Sequence, residues 1–219
     1  MNSVTYFMIS NVLSQDPSLG RLDKSAFSQQ TLLEIFLSSI TNTEGIIEDS
    51  TEPISTWRNL TFNESGELTR ISWEGMNLEG SIELKWLPST LKFLTLKSNH
   101  LSGSLDLTDL PDDTQSLFLL RNAFTGSIDL TRLPDSMLLL DVSGNHLSGC
   151  IDVTKLPASL KVLMLHSNDF SGWTDFRAIP ETLKILSLCR TNLEGDLVQK
   201  VSTQKFSSTN SKVNIIIEE

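Results

Sequence analysis

The phrase "LKSNHLSGSLDL", residues 96 to 107, sets an asparagine, Asn99, between leucines spaced like buried residues. Nearly the same phrase returns as "LLRNAFTGSIDL" at 119 to 130 and "VSGNHLSGCIDV" at 142 to 153. Their glycines, Gly103, Gly126 and Gly149, stand 23 residues apart, and the period extends back to Gly80 and on to Gly172 and Gly195. A fixed period of this size marks an array of stacked supersecondary units.

Each unit carries the same beats. One runs Leu91, Leu94, Leu96, Asn99, Leu101, Gly103, Leu105, and the next keeps Leu117, Leu119, Asn122, Phe124, Gly126 and Ile128. The first unit has Met76 and the last has Thr191 where the others have asparagine. A proline recurs as well, at Pro88, Pro111, Pro134, Pro157 and Pro180. In "LKFLTLKSN", Leu94 and Leu96 alternate with Phe93, Thr95 and Lys97, which is the period of a strand with one buried face. A single strand cannot bury that face alone. Stacked coils can, with a parallel sheet along one side of a solenoid and a right-handed crossover.

The beats read L-x-x-L-x-L-x-x-N-x-L-x-G-x-I. Over residues 68 to 197 the chain therefore resembles the leucine-rich repeat family, in six in-phase copies. "LSGSL" and "LSGCI" are similar to the plant-type subclass, while "DLTDLPDDT" and "DLTRLPDSM" also resemble repeats of protist families such as those of kinetoplastids. Upstream, "WRNLTFNESGELTRISW" is similar to the N-terminal cap that precedes plant-type repeats. That cap usually has a cysteine where this chain has Phe62. The resemblance implies a right-handed α/β solenoid, mostly β, with a parallel sheet on the concave face and a helical N-terminal cap. The expected organisation is a capping region with one helix over 1–67, six repeats over 68–197 and a C-terminal cap with a terminal strand over 198–219. Helical spacing of Leu33, Phe36, Leu37 and Ile40 places the helix in "FSQQTLLEIFLSSI", and "KVNIIIEE" reads as the last strand.

Asn99, Asn122, Asn145 and Asn168 are read as a structural ladder, because an amide offers two donors and an acceptor to buried backbone groups. A second polar column is Glu83, Asp106, Asp129, Asp152 and Asp175. It reads as either a cation ladder or a set of turn caps. At about 5 Å in water, neighbouring carboxylates repel by only ~0.8 kcal/mol, so the column needs no metal. His100 and His146 fall two coils apart, too far to share one ion. No metal and no cofactor is expected.

The chain has 219 residues, 39% apolar and 20% charged, with a net charge of −10. This composition suits a folded protein, and the negative charge argues against a nucleic acid partner or an anionic membrane surface. No apolar run reaches the ~18 residues a membrane span needs. "MNSVTYFMISNVL" is mildly apolar but lacks basic residues and a clear cleavage site, so it reads as part of the fold, with a cryptic signal as the alternative. Cys150 and Cys189 occupy different repeat positions, and no disulfide is expected. Together with Phe62 this predicts a cytoplasmic protein. In the secreted or surface alternative, the sequons at Asn59 and Asn63 become relevant. No motif for a nucleophile, phosphate loop or metal-dependent hydrolase is present, so the protein reads as non-catalytic.

The outward columns of the concave sheet vary between coils. They are apolar in the middle, where Phe93, Phe118, Leu120, Leu139 and Met164 should form one patch, with Asp141 among them and Arg121 and His166 near its edge. These eight residues are the candidate partner-binding site, since contiguous apolar surface marks interaction sites. The predicted function is a protein-interaction scaffold, with recognition of a glycan or host protein as the alternative. A monomer is expected, with a dimer through the concave face as the other arrangement. A terminal segment folded over this face would bury it.

Overall fold

The computed structural model describes residues 24–48, 51–200 and 203–218. The apolar "MNSVTYFMISNVL" segment lies outside the described residues. Two eight-stranded sheets run the length of a β-solenoid. The concave sheet contains Leu60–Phe62, Leu68–Ser72, Phe93–Thr95, Ser116–Phe118, Leu139–Asp141, Val162–Met164, Ile185–Ser187 and Lys205–Ser207. The opposite sheet begins with Ile40–Thr41 and Glu79–Gly80, passes through a strand in each coil, and ends with Asn192–Lys200 and Lys212–Glu218.

The concave sheet pairs residues one full repeat apart, as in Phe93 with Ser116 and Leu139 with Val162. The opposite sheet pairs Ser102 with Ala123 and Ser171 with Asn192, two residues short of the repeat. A slip of two keeps every side chain on its own face, because the strand period is two. Between the sheets lie fully buried leucines such as Leu91, Leu94, Leu96 and Leu101, with Phe124 and Phe170 filling the place of Leu101 in their coils. The prolines close the turn before the five concave strands from Phe93–Thr95 to Ile185–Ser187, the carbonyl of Pro88 accepting from the Leu91 N–H at 3.0 Å and that of Pro134 from Met137 at 3.0 Å.

Each asparagine joins its own coil to the one before. Asn145 Nδ2 donates to the carbonyls of Val142 (2.9 Å) and Leu119 (3.1 Å), while its Oδ1 accepts from the Phe124 N–H (3.1 Å). Asn122 and Asn168 repeat this geometry, with their oxygens taking the N–H groups of Leu101 and Leu147. Asn99 serves the first coil twice, accepting from Met76 and Leu78. Thr191 donates only within its own coil, to Leu188.

The two ends depart from the repeat. Helix Gln29–Leu37 starts at Ser28, whose Oγ accepts the Thr31 N–H, and it buries Leu32, Leu33 and Phe36 against the first coil. Phe36 lies 6.4 Å from the Trp73 ring. Ile40, expected on the helical face, instead lies beyond the helix end in a two-residue strand antiparallel to Glu79–Gly80. That crossing needs a glycine: Gly80 has φ +106°, and a Cβ there would sit 2.0 Å from the Ser39 carbonyl oxygen. Leu60–Phe62 closes the concave sheet with an antiparallel pairing to Leu68–Ser72. At the other end, Lys205–Ser207 adds an unanticipated parallel strand, with Lys205 opposite Ile185. Lys205–Ser207 and Lys212–Glu218 thus make a further, shorter coil. Leu60–Phe62 and Lys205–Ser207 extend the concave sheet at its edges, so neither strand lies across its face.

Candidate binding surface

On the concave face, Phe93 stands opposite Ser116, and Phe118 opposite Thr95 and Asp141. The two phenylalanines are diagonal neighbours, close enough for large rings to meet across small residues. Their centroids are 5.4 Å apart at 45°, and the Arg70 guanidinium lies 3.6 Å above Phe93. An exposed contact of that kind contributes ~0.5–1 kcal/mol. Leu120, Leu139, Val162 and Met164 continue the patch, each half-buried, and Ile185 beyond them is exposed. Lys97 pairs with Glu74 at 2.7 Å.

Asp141, placed among these residues by the repeat register, is turned in towards its own strand end. It is 9% exposed, and its Oδ1 accepts from the Ser143 N–H (3.0 Å) and the Ser143 hydroxyl (2.6 Å). One carboxylate oxygen is therefore committed to the turn that ends its own strand. Arg121 is exposed just past the strand end, with φ 55°. His166 is half-buried, and its Nδ1 is buried without a hydrogen-bond partner. It lines a cleft of about 300 Å³ with Ser187, Cys189, Arg190, Thr209 and Asn210. Burial pushes the Cys189 thiol up, but hydrogen bonds with Ser207, Ser187 and Thr209 outweigh it and hold the thiol below its usual range. Sequence reasoning missed this cleft because Thr209 and Asn210 belong to the unanticipated coil. Cys150, by contrast, is exposed beside the opposite sheet, and both thiols are free.

The aspartate column adopts the turn-cap arrangement. Asp129 Oδ1 accepts the Thr131 N–H (2.8 Å) and hydroxyl (2.6 Å), and Asp106 and Asp152 do the same with Thr108 and Thr154. Asp175 takes the backbone N–H and the guanidinium of Arg177. These bonds hold all four carboxyls below the ordinary aspartate range, Asp175 at about 2. Among the described residues no cluster of three His, Cys, Asp or Glu side chains could hold a metal ion. No helix among them is long and apolar enough to cross a membrane.

No protein-family model matches the chain, and no curated protein matches it. Solved structures do. A pollen receptor kinase 3 superposes with a TM-score of 0.67 at 23% identity, covering 84% of this chain and 95% of its own. The leucine-rich repeat ectodomain of the Arabidopsis thaliana receptor kinase SOBIR1 gives 0.60 at 22% identity, with 86% and 95% covered. The chain folds as a leucine-rich repeat protein. A third similar structure is the Arabidopsis receptor kinase HAESA in complex with the peptide hormone IDA and the co-receptor SERK1, with a TM-score of 0.54, 18% identity, and 84% and 42% covered. At these identities the likeness establishes the leucine-rich repeat architecture and leaves the ligand to be argued from the surface itself.

Proposed function

We propose that this leucine-rich repeat protein is a secreted or surface-displayed, non-catalytic recognition module that holds a protein ligand on its concave sheet. The observation that carries this reading is the half-exposed patch of Phe93, Phe118, Leu120, Leu139 and Met164, on a sheet that its edge strands Leu60–Phe62 and Lys205–Ser207 extend without covering. Apolar side chains rimmed by polar groups are the usual make-up of an interface anchor. Similar folds include a receptor kinase ectodomain and a receptor captured with a peptide hormone, which favours the surface alternative over the cytoplasmic expectation. That expectation leaned on the missing cap cysteine. At that position Phe62 packs against the core, and the cap is also tied down by Trp73 Nε1 donating to the Arg58 carbonyl at 3.0 Å.

Two experiments test the reading. Phe118→Ala combined with Met164→Glu should abolish capture of the protein ligand while leaving the melting temperature nearly unchanged, since both side chains point away from the core. Normal capture by the folded double variant would move the binding site elsewhere. Mass spectrometry of the protein from its native cell should find a glycan on Asn59, an exposed residue. Asn63 is the poorer acceptor, because its amide is engaged with Ser65 and Glu67 in a turn. Unmodified Asn59 in a cytosolic fraction would restore the cytoplasmic assignment.

A further inference from the structure

The charge of the concave side is opposite to that of the chain. Among 17 basic and 27 acidic residues the net charge is −10. On the concave strands stand Arg70 and Lys205, Lys97 lies two residues past the end of Phe93–Thr95, and the residues just before three of these strands are Lys92, Lys161 and Lys184. Just beyond the outermost outward column lie Arg121 and Arg190, both exposed. Against these eight cations the same positions hold three acids: Glu67, just before Leu68–Ser72 and bonded to the Asn63 amide, Glu74 and Asp141. Glu74 is paired with Lys97, and Asp141 is buried and committed to Ser143. Acids return outside the lysine row, at Asp112, Asp113, Asp135 and Glu181, whereas the Arg121–Arg190 flank has the exposed Asp169 beside it, which leaves that flank the cleaner cationic rim.

This inference rests on the concave-face reading above and sharpens it. We infer that the ligand is an acidic protein segment carrying aromatic or aliphatic residues, whose apolar side chains seat on the Phe93–Phe118–Leu139 patch while its carboxylates follow the Arg121–Arg190 rim. Charge complementarity selects an acidic partner, because like charges across an interface are costly and opposite charges steer the encounter. The apolar strip between the two basic flanks selects a peptide over a sulfated glycan, which has no side chains to fill it. Arginine pairs carboxylates through a planar fork, a geometry lysine lacks. Arg121 and Arg190 are three coils apart in the stack, roughly 15 Å at the ordinary strand spacing. An extended segment rises ~3.3 Å per residue, so it would present acidic side chains four or five residues apart.

The test uses the full chain and a phage-displayed library of random peptides about twelve residues long, a span sufficient for the three coils at ~3.3 Å per residue. Enriched peptides should be acidic with aromatic or aliphatic residues, and their measured affinity should fall as salt rises. The double substitution Arg121→Glu with Arg190→Glu should weaken them by about tenfold or more, and peptides with lysine in place of the acids should regain binding to that variant. Neutral or basic winners that are lost on Phe118→Ala would overturn the acidic ligand while leaving the concave-face reading intact. Winners indifferent to both Phe118→Ala and the charge reversal would overturn both. Heparin oligosaccharides that displace the acidic winners from the wild type, but bind Phe118→Ala undiminished, would replace the peptide with a polyanionic glycan.

Discussion

The inward and outward faces of the concave sheet are made by alternate residues of the same strands, and they follow different rules. Inward, the positions of Leu94 and Leu96 are filled by Leu117 and Leu119, then Leu140 and Val142, then Leu163 and Leu165, all essentially without solvent exposure. Outward, the column through Thr95 reads Thr95, Phe118, Asp141, Met164 and Ser187. Stacking dictates the first set, since each coil must fill the same space against its neighbours. Nothing in the stacking dictates the second. A ligand site in such an array is therefore sought where the repeat changes from coil to coil, and not where it is most regular.

Adjacent residues can break or sharpen this contrast. Leu140→Ala should cost ~2–5 kcal/mol in urea unfolding, the usual effect of emptying a packed leucine site. Leu139→Ala, one residue away and facing out, should cost less than about 1 kcal/mol. Equal losses at the two positions would show that the outward face is packed under another segment. A smaller effect is expected in the asparagine ladder. Asn145→Ala strands the Phe124 N–H and leaves the carbonyls of Leu119 and Val142 with one ladder amide each, those of Asn122 and Asn168, so a loss of roughly 1–3 kcal/mol is predicted, with the less buried Asn122 at the low end. Thermal melts that do not respond to either substitution would remove the ladder from the account of stability.

The mildest effect belongs to the aspartate caps. Their carboxyls titrate lower in the folded protein than in the unfolded chain, so the stability they lend is complete above the ordinary aspartate pKa of about 4. It is lost as pH falls through the folded values, which for Asp175 means towards about 2. Replacing Asp106, Asp129, Asp152 and Asp175 with asparagine should flatten the fall of melting temperature between about pH 4 and pH 2, a window set by these pKa values. An unchanged acid profile would assign acid lability to other carboxylates.

Most of the architecture was legible because stacking forces the same apolar beats on every coil, and six copies make the period plain. The ends were less so. Lys205–Ser207 carries Phe206 as its one buried apolar residue and pairs at a shorter offset than the repeat, so no periodic pattern announces it. The antiparallel strand Ile40–Thr41 is two residues long and depends on Gly80, which the sequence presents as just another repeat glycine. Among the site residues, Phe93 and Phe118 could be placed by counting, while their contact could not. The turning-in of Asp141 had a signal that went unused. Asp141-Val142-Ser143 has the same form as Asp129-Leu130-Thr131, and each closes a local turn of the same kind at its own place in the coil. The basic concave flank was also present in the sequence, but net charge alone points the other way.

The asparagine ladder also has a direction. Every amide reaches back to the preceding coil, and the carbonyl oxygen of each covers an N–H made earlier in the chain. Synthesis delivers the coils in that same order. A coil that folds as it leaves the ribosome would bring its asparagine to a surface whose strand and open N–H are already in place. Assembly then resembles the growth of a filament from one end, with a single row of unmet donors at the advancing tip. A stalled or shortened chain would leave that row only on its last coil, where water can still reach it, while the coils behind remain closed.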